Sequence, residues 1–426
     1  MEQFHIIGGT PINGEITATG NKNAALPCIA AVLLTDEPVI LRNIPAIEDV
    51  FVMLEIFKHL GGTVERISKN EYKLCAKRVN VTEIPKELSA KIRASILFAG
   101  PLLARCGSVT LPPPGGDIIG RRRLDTHFLA LEELGASIRT NGVFAFSAKK
   151  LLGADIFLDE ASVTATENAI MCAVLAEGQT ILTNAAGEPH VQDLCNMLVK
   201  MGGKIQGIGS NTLIIDGVKH LSGCDFAIGP DYMEIGSYIG LAAATHGSIK
   251  INGIIPSQMR PLKTGFGKLG IKWEIDGNSL FVSSKQQLTV NNDLGGMIPK
   301  IDDAPWPGFP PDLTSIMTVV ATQVEGTVLI FEKMFESRMF FVDKLIGMGA
   351  KITLCDPHRA VVTGPATLHG SELVSPDVRA GMALLIAATC AQGESVIKNI
   401  YQIERGYEDL AGRLSSLGVT IKRVSN

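Results

Sequence analysis

Six stretches of the chain are apolar at almost every position. They are NKNAALPCIAAVLL at 21–34, SAKIRASILFAGPLLA at 89–104, TATENAIMCAVLA at 164–176, DYMEIGSYIGLAAA at 231–244, PDLTSIMTVVAT at 311–322 and PDVRAGMALLIAAT at 376–389. Their Ala-rich composition predicts helices, and a helix that is apolar all round is buried on every side. Each gives way at a small turn to a short run, such as EPVILRNI, GQTILTNA or GESVIKNI, that predicts a strand. A second motif alternates with the first, an apolar residue and glycine leading into another strand: HLGGTVER, ELGASIRT, KMGGKIQG, KLGIKWEI, GMGAKITL and SLGVTIKR. Its glycines, Gly61, Gly135, Gly202, Gly270, Gly349 and Gly418, follow helical patterns and read as helix C-terminal stops. They recur about every 70 residues.

The repeating unit is helix, strand, loop, helix, glycine stop, strand, turn, strand. Six units predict an α/β protein of two domains, each with three apolar helices at its centre and sheets outside. The sixth unit lacks a final strand after GVTIKRV, whereas QFHIIGG and GEITATG offer strands ahead of the first helix. The N-terminal segment is therefore expected to close the second domain. The expected domains are 22–229, and 1–21 with 230–426, joined by linkers near Gly20 and Pro230. The cleft between two such domains is the default place for a site.

Composition narrows the function. A chain of 426 residues exceeds one ordinary core, and 46% hydrophobic with 19% charged residues describes a globular protein. A net charge of -4 argues against nucleic acid as a partner. No apolar stretch reaches the roughly 18–20 residues of a membrane span, so no membrane insertion is expected. The start, MEQFHIIGGTPING, has no basic region followed by an apolar core, and no signal peptide is read there. Cys28, Cys75, Cys106, Cys172, Cys195, Cys224, Cys355 and Cys390 form no CxxC pair, which fits free thiols in a reducing cytoplasm. No metal-ligand spacing and no cofactor motif is present. The sequence assigns no oligomeric state.

Polar residues gather where the apolar helices begin: Lys22 and Asn23, Arg93, Thr166 with Glu167 and Asn168, Asp231 with Glu234, Asp312, and Asp377 with Arg379. Others follow the first-motif strands: Asp117, Arg121, Arg122 and Arg123, then Glu188, Arg338, Glu404 and Arg405. Equivalent loops of a repeat lie on equivalent faces, so Lys22, Arg122, Arg338 and Arg405 are expected near one cleft. With helix N-termini beside them they would trap an anion in a protein of negative net charge. A bland reading stands beside each. Asp231, Asp312 and Asp377 fit helix caps equally well, a lone loop arginine fits a solvated ion pair, and Glu188 and Glu404 fit partners of nearby arginines. His127, in the loaded loop, fits a structural role better than a catalytic one.

The residues then point to a family. GNKNAALP, KIRASILFAGPLLAR, PGGDIIGRRRLDTH, SVTATENAIM, NAAGEPHVQD, PDYMEIGSYIGLAA, FPPDLTSIM, FESRM, PDVRAG and IERGYEDL occur in that order along nearly the whole chain. In them the sequence resembles the UDP-N-acetylglucosamine 1-carboxyvinyltransferases, also called UDP-N-acetylglucosamine enolpyruvyl transferases. The resemblance implies a two-domain inside-out α/β barrel, the enolpyruvyl transferase fold. It implies transfer of enolpyruvate from phosphoenolpyruvate to the 3-hydroxyl of UDP-N-acetylglucosamine with release of phosphate, the first committed step of peptidoglycan synthesis. By position, Lys22 and Asn23 match the phosphoenolpyruvate pair. Arg122, Arg338 and Arg405 match the arginines on its phosphate and carboxylate. Arg93, Arg122, Arg123, Leu124, Asp125, Thr126, Ser162, Val163 and Met334 match nucleotide-sugar contacts. Asp312 matches the general base on the sugar hydroxyl. Glu188, Asp231 and Asp377 match polar residues of the cleft, and Arg379, beside Asp377 at the same helix start, is counted with the substrate-binding candidates. Planar guanidinium groups suit carboxylate and phosphate, and the addition and elimination steps need a positioned acid and base.

Two positions depart from the family pattern. Asp117 stands where many members carry a cysteine, and it can donate a proton only if its environment raises its pKa. Arg121 and Arg123 flank Arg122 where Ala and Pro are common. Two rivals remain: an enolpyruvyl transferase for another acceptor, and a catalytically silent nucleotide-sugar-binding regulator. The related 5-enolpyruvylshikimate-3-phosphate synthases carry their early lysine in a motif like DKSxSxR, and NKNAALP departs from it.

Overall fold

The computed structural model describes residues 2–116, 119–120 and 123–425. Asp117, Arg121 and Arg122 therefore lie outside the described residues. Contacts divide the chain into two units. One holds the chain up to Thr19, Ile119 with Gly120, and the chain from Pro230 onward; the other holds the rest of Gly20–Gly229. Each has its own apolar core.

The apolar stretches fold as the helices Lys22–Ala31, Ala99–Cys106, Val163–Ala173, Tyr232–Ala244, Thr314–Ala321 and Val378–Cys390. Every residue of Tyr232–Ala244 and of Thr314–Ala321 is buried. The second and fifth helices open as 3-10 turns, Arg93–Phe98 and Pro311–Leu313. Pro101 then falls in the first turn of the α-helix, where its missing N–H leaves no intrahelical bond unmade. Pro27, by contrast, sits inside its helix. Its ring removes the donor that the Asn23 carbonyl would otherwise meet one turn on. Among the described residues no helix is long and apolar enough to cross a membrane.

Around the helices the described strands form six sheets, three in each unit. In three of them the strand before an apolar helix pairs in parallel with the strand after it. In two the partners are exchanged, Asn13–Thr17 pairing with Ser248–Asn252 and Asp225–Ala227 with Val39–Arg42. Antiparallel strands complete each sheet. In the sixth the parallel edge shrinks to a single bridge, Glu83 with Thr110. The N-terminal strand Glu2–Ile7 lies antiparallel between Glu394–Lys398 and Thr420–Ser425, in the place of the strand the last unit lacks. Asn13–Thr17 forms the parallel edge beside Ser248–Asn252. All six motif glycines have positive φ, from 74 to 107°, a backbone that a side chain would strain.

A second local device recurs where the central strand ends. Asn43, Asn184 and Asn399 each turn the chain in the left-handed region, with φ of 57, 58 and 59°. Each amide Nδ2 donates across to the carbonyl just beyond the parallel edge strand: Ile228 at 2.9 Å, Leu158 at 2.8 Å and Ser375 at 2.9 Å. Asparagine suits both tasks, since its side chain tolerates this backbone and supplies a donor. Replacing Asn184 by Ala is expected to cost about 1–3 kcal/mol in urea unfolding, from the left-handed backbone and the lost bond together. Asn184→Gly should lose less, because it keeps the turn and gives up only the amide.

Candidate active site

The polar residues at the helix starts are placed by ordinary capping chemistry. Asn21 accepts from the Asn23 amide and opens the Lys22 helix. Asp231 accepts from the amides of Met233 and Glu234, and Asp377 from those of Arg379 and Ala380. Asp231 and Asp377 are thus caps, and both are also buried. Ser162 caps the Val163 helix through the Ala165 amide.

Asp312 does something else. From its 3-10 turn it holds Arg338 Nη1 at 2.8 Å on one oxygen and Arg379 Nε at 2.9 Å on the other. Burial pushes its carboxyl up, but Arg379 and Arg338 overcome that and hold it well below the usual carboxylate range. It is ionised at any working pH, and in this arrangement it is a weak base. Arg379 in turn lies 5.3 Å from the centre of the Tyr407 ring. The Tyr407 hydroxyl meets Ser237 Oγ at 2.8 Å. Asp231, by contrast, is pushed up by burial, with Arg379 opposing. Arg405 is buried, bonded to Gln402 at 3.2 Å, with Tyr401 5.9 Å from its guanidinium carbon. The Met334 amide donates to Asp303 at 3.2 Å. Glu404 pairs with Arg423, the bland reading of that residue.

In the other unit Lys22 Nζ lies 2.6 Å from Asp49 Oδ2, both side chains nearly buried. Asp49 comes from the first turn of the Glu48–His59 helix, where a carboxylate also suits the positive helix end. Arg93, Arg123, Leu124, Asp125 and Thr126 come together at the start of the Asp125–Glu133 helix, and Ser162 and Val163 open the Val163–Ala173 helix that packs against it. Arg93 Nη2 donates to the Arg123 carbonyl at 3.0 Å, and Arg123 pairs with Asp125. Asp159 accepts from Thr126 Oγ1 at 2.7 Å and lies 3.9 Å from Arg123. Glu188 stands at the start of the Pro189–Lys200 helix, and its charge adds to the burial that raises Glu167 well above the carboxylate range. The chain signals for Asp49, Asp159 and Tyr407 were weak. Asp49 resembles any first-turn acid, Asp159 any loop acid, and Tyr407 is embedded in IERGYEDL behind the more conspicuous arginine. Among the described residues no group of His, Cys, Asp and Glu could hold a metal ion.

Comparison with known proteins gives these positions a context. A family model described as EPSP synthase (3-phosphoshikimate 1-carboxyvinyltransferase) matches residues 6–414. A UDP-N-acetylglucosamine 1-carboxyvinyltransferase of Treponema denticola is 70% identical over 422 residues, 99% of each chain. One of Treponema pallidum is 63% identical over 421 residues, again 99% of each. The chain belongs to the UDP-N-acetylglucosamine 1-carboxyvinyltransferase family. Its fold is that of the enolpyruvyl transferases: the enolpyruvyl transferase NikO from Streptomyces tendae superimposes with a TM-score of 0.88 at 22% identity, covering 100% of this chain and 99% of that one. The candidate residues thus stand on a frame whose helix starts and strand ends are set by caps and turns.

His127 shows how firmly part of that frame is tied. Its ring is buried, with Nδ1 2.9 Å from Asn168 Nδ2 and Nε2 3.0 Å from Thr164 Oγ1. Asn168 also accepts from the Gly100 amide at 2.8 Å. An amide that donates to Nδ1 leaves the ring neutral with its proton on Nε2. Burial, aided by Arg93, lowers its pKa to about 3 from 6.5. Between those values the unfolded chain binds the proton and the folded chain does not. Stability is therefore full above about pH 6.5 and falls as the pH is lowered, by up to about 1.4 kcal/mol per unit from this residue. Urea unfolding between pH 7 and 4 should show a shallower decline in His127→Asn than in the wild type. Parallel declines would remove His127 as the titrating group.

Proposed function

We propose that this chain transfers enolpyruvate from phosphoenolpyruvate to the 3-hydroxyl of UDP-N-acetylglucosamine, releasing phosphate, in the first committed step of peptidoglycan synthesis. The observation that carries the reading is the full-length identity to relatives bearing that activity in their names. The charge arrangement supports it. Lys22, Arg338 and Arg405 offer cations to an anion-rich substrate, and each is held by the surrounding protein. Arg93 and the residues from Arg123 to Thr126, with Ser162 and Val163, form a second cluster suited to the nucleotide sugar. Arg122 belongs to the proposal by position. The eight cysteines are free thiols, which fits a cytoplasmic enzyme.

The chemistry assigns roles. The sugar hydroxyl attacks C2 of phosphoenolpyruvate while a proton is delivered to its methylene carbon, giving a tetrahedral intermediate. Elimination then breaks the bond to the phosphate oxygen and returns a proton from the methyl group. Asp312 takes the hydroxyl proton. Its two arginines keep it ionised, and each one that turns towards a substrate anion returns basicity to it. Asp117 is the proposed proton donor on the loop.

Phosphate release should require both substrates together. Release with shikimate 3-phosphate instead would favour the acceptor rival, and no release with any acceptor would favour a silent regulator. Asp312→Asn keeps the shape and loses the base, so turnover should fall by about 10²–10⁴-fold with nucleotide-sugar binding by calorimetry retained. At Asp117 a carboxylate is a far poorer nucleophile than a thiolate towards the epoxide fosfomycin. Intact-mass spectrometry should find no adduct on the wild type and a stoichiometric one on an active Asp117→Cys variant. An adduct on the wild type would overturn the resistance.

A further inference from the structure

The strand-end device of the fold has one conspicuous replacement. Asn43, Asn184 and Asn399 stand one residue past a central strand, opposite Ile228, Leu158 and Ser375 one residue past the parallel edge. In the sheet of Gly326–Phe331 and Lys300–Asp302 the same register pairs Asp302 with Phe331, which puts Glu332 opposite Asp303. Glu332 lacks the left-handed φ of the asparagines, and its side chain is one methylene longer. What it shares with them is the task available to it, a donor aimed across the two strand ends.

An ionised carboxylate has no hydrogen to give. Both Glu332 and Asp303 are completely buried. Asp303 already accepts from two backbone amides, those of Lys333 and Met334. The Thr314 hydroxyl and Arg338 face Glu332, but neither makes a well-formed hydrogen bond to its carboxyl oxygens. A negative Glu332 would thus be buried beside a second carboxylate with only poorly placed donors to offset it, whereas a protonated one has Asp303 to donate to. Burial, followed by the opposing charge of Arg338 and the reinforcing charge of Asp303, leaves its pKa at about 9.

We propose that Glu332 works as a neutral acid, donating its carboxyl proton to Asp303 where three other repeats use an asparagine amide. In that state it braces the Lys333–Met334 turn and leaves Arg338 directed at Asp312. Glu332 is a positioning residue, acting through Arg338 and the Met334 turn. The groups facing it are Asp303, Arg338 and the Thr314 hydroxyl. His358 Nδ1 is occupied by the Glu332 carbonyl at 2.7 Å, and Lys333 Nζ by Asp302 at 2.8 Å. Ionising Glu332 would place a second anion beside Arg338 and draw it from Asp312.

The test is Glu332→Gln, which is neutral at every pH and carries an N–H donor. The bearing on catalysis rests on the enolpyruvyl-transfer reading; the stability measurement does not. A carboxyl whose folded pKa is raised stabilises most below its unfolded value of 4.5, and that contribution is lost as the pH rises through about 9. The folding constant of Glu332→Gln relative to wild type, from urea unfolding, should therefore grow with pH by up to about tenfold per unit in that window, then level off. At pH 7 the variant should keep kcat/KM for phosphoenolpyruvate within about threefold of wild type, and it should lack the fall that the wild type shows above about pH 9. A loss of tenfold or more at pH 7 in a stably folded variant would mean that the charge of Glu332 is used, and would overturn the proposal. So would a stability ratio that does not change with pH. If the wild type itself turns over no substrate, the reading of the reaction fails while the stability ratio still decides the state of Glu332.

Discussion

Burying a helix on every side leaves it one polar outlet, its end. That constraint recurs along this molecule. The walls of Tyr232–Ala244 and Thr314–Ala321 admit no solvent, so groups that must carry charge are driven to where those helices begin. There the backbone offers unpaired N–H groups and a positive end. Asn21, Ser162, Asp231 and Asp377 satisfy the backbone. Lys22, Asp312 and Arg379, the groups proposed for chemistry, stand at the same places. Caps and candidate catalytic groups are therefore neighbours by necessity, and the choice between a structural and a functional reading of a helix-start residue is often not exclusive.

Within that crowded rim the environment separates carboxyl groups that are identical as side chains. Asp312 lies between two guanidinium groups and stays ionised. Glu234, almost fully buried, is pushed up to about 7 despite Arg413 and two bonds from Thr19. Glu332 goes further, with a carboxylate for a neighbour. Low dielectric magnifies both the attraction and the desolvation cost, so small differences in placement decide which acid holds its proton. A reaction that needs a base and a proton donor in turn depends on that separation.

The chain alone determined the apolar helices and the glycine stops, because these are written in local periodicity and local backbone chemistry. Gly61 and its five counterparts adopt positive φ for a reason visible in any one unit. Lys22, Asp312 and Arg379 were conspicuous as charges at the mouths of apolar helices. Only the tertiary structure decided their partners. Asp49 meets Lys22 from a neighbouring helix. Arg379 reaches Asp312 from 67 residues away. Glu332 faces Asp303 through the register of two parallel strands. The protonation of a buried acid is a property of such encounters. It is set by distances and by the exclusion of water, and the order of residues specifies these only through the completed fold.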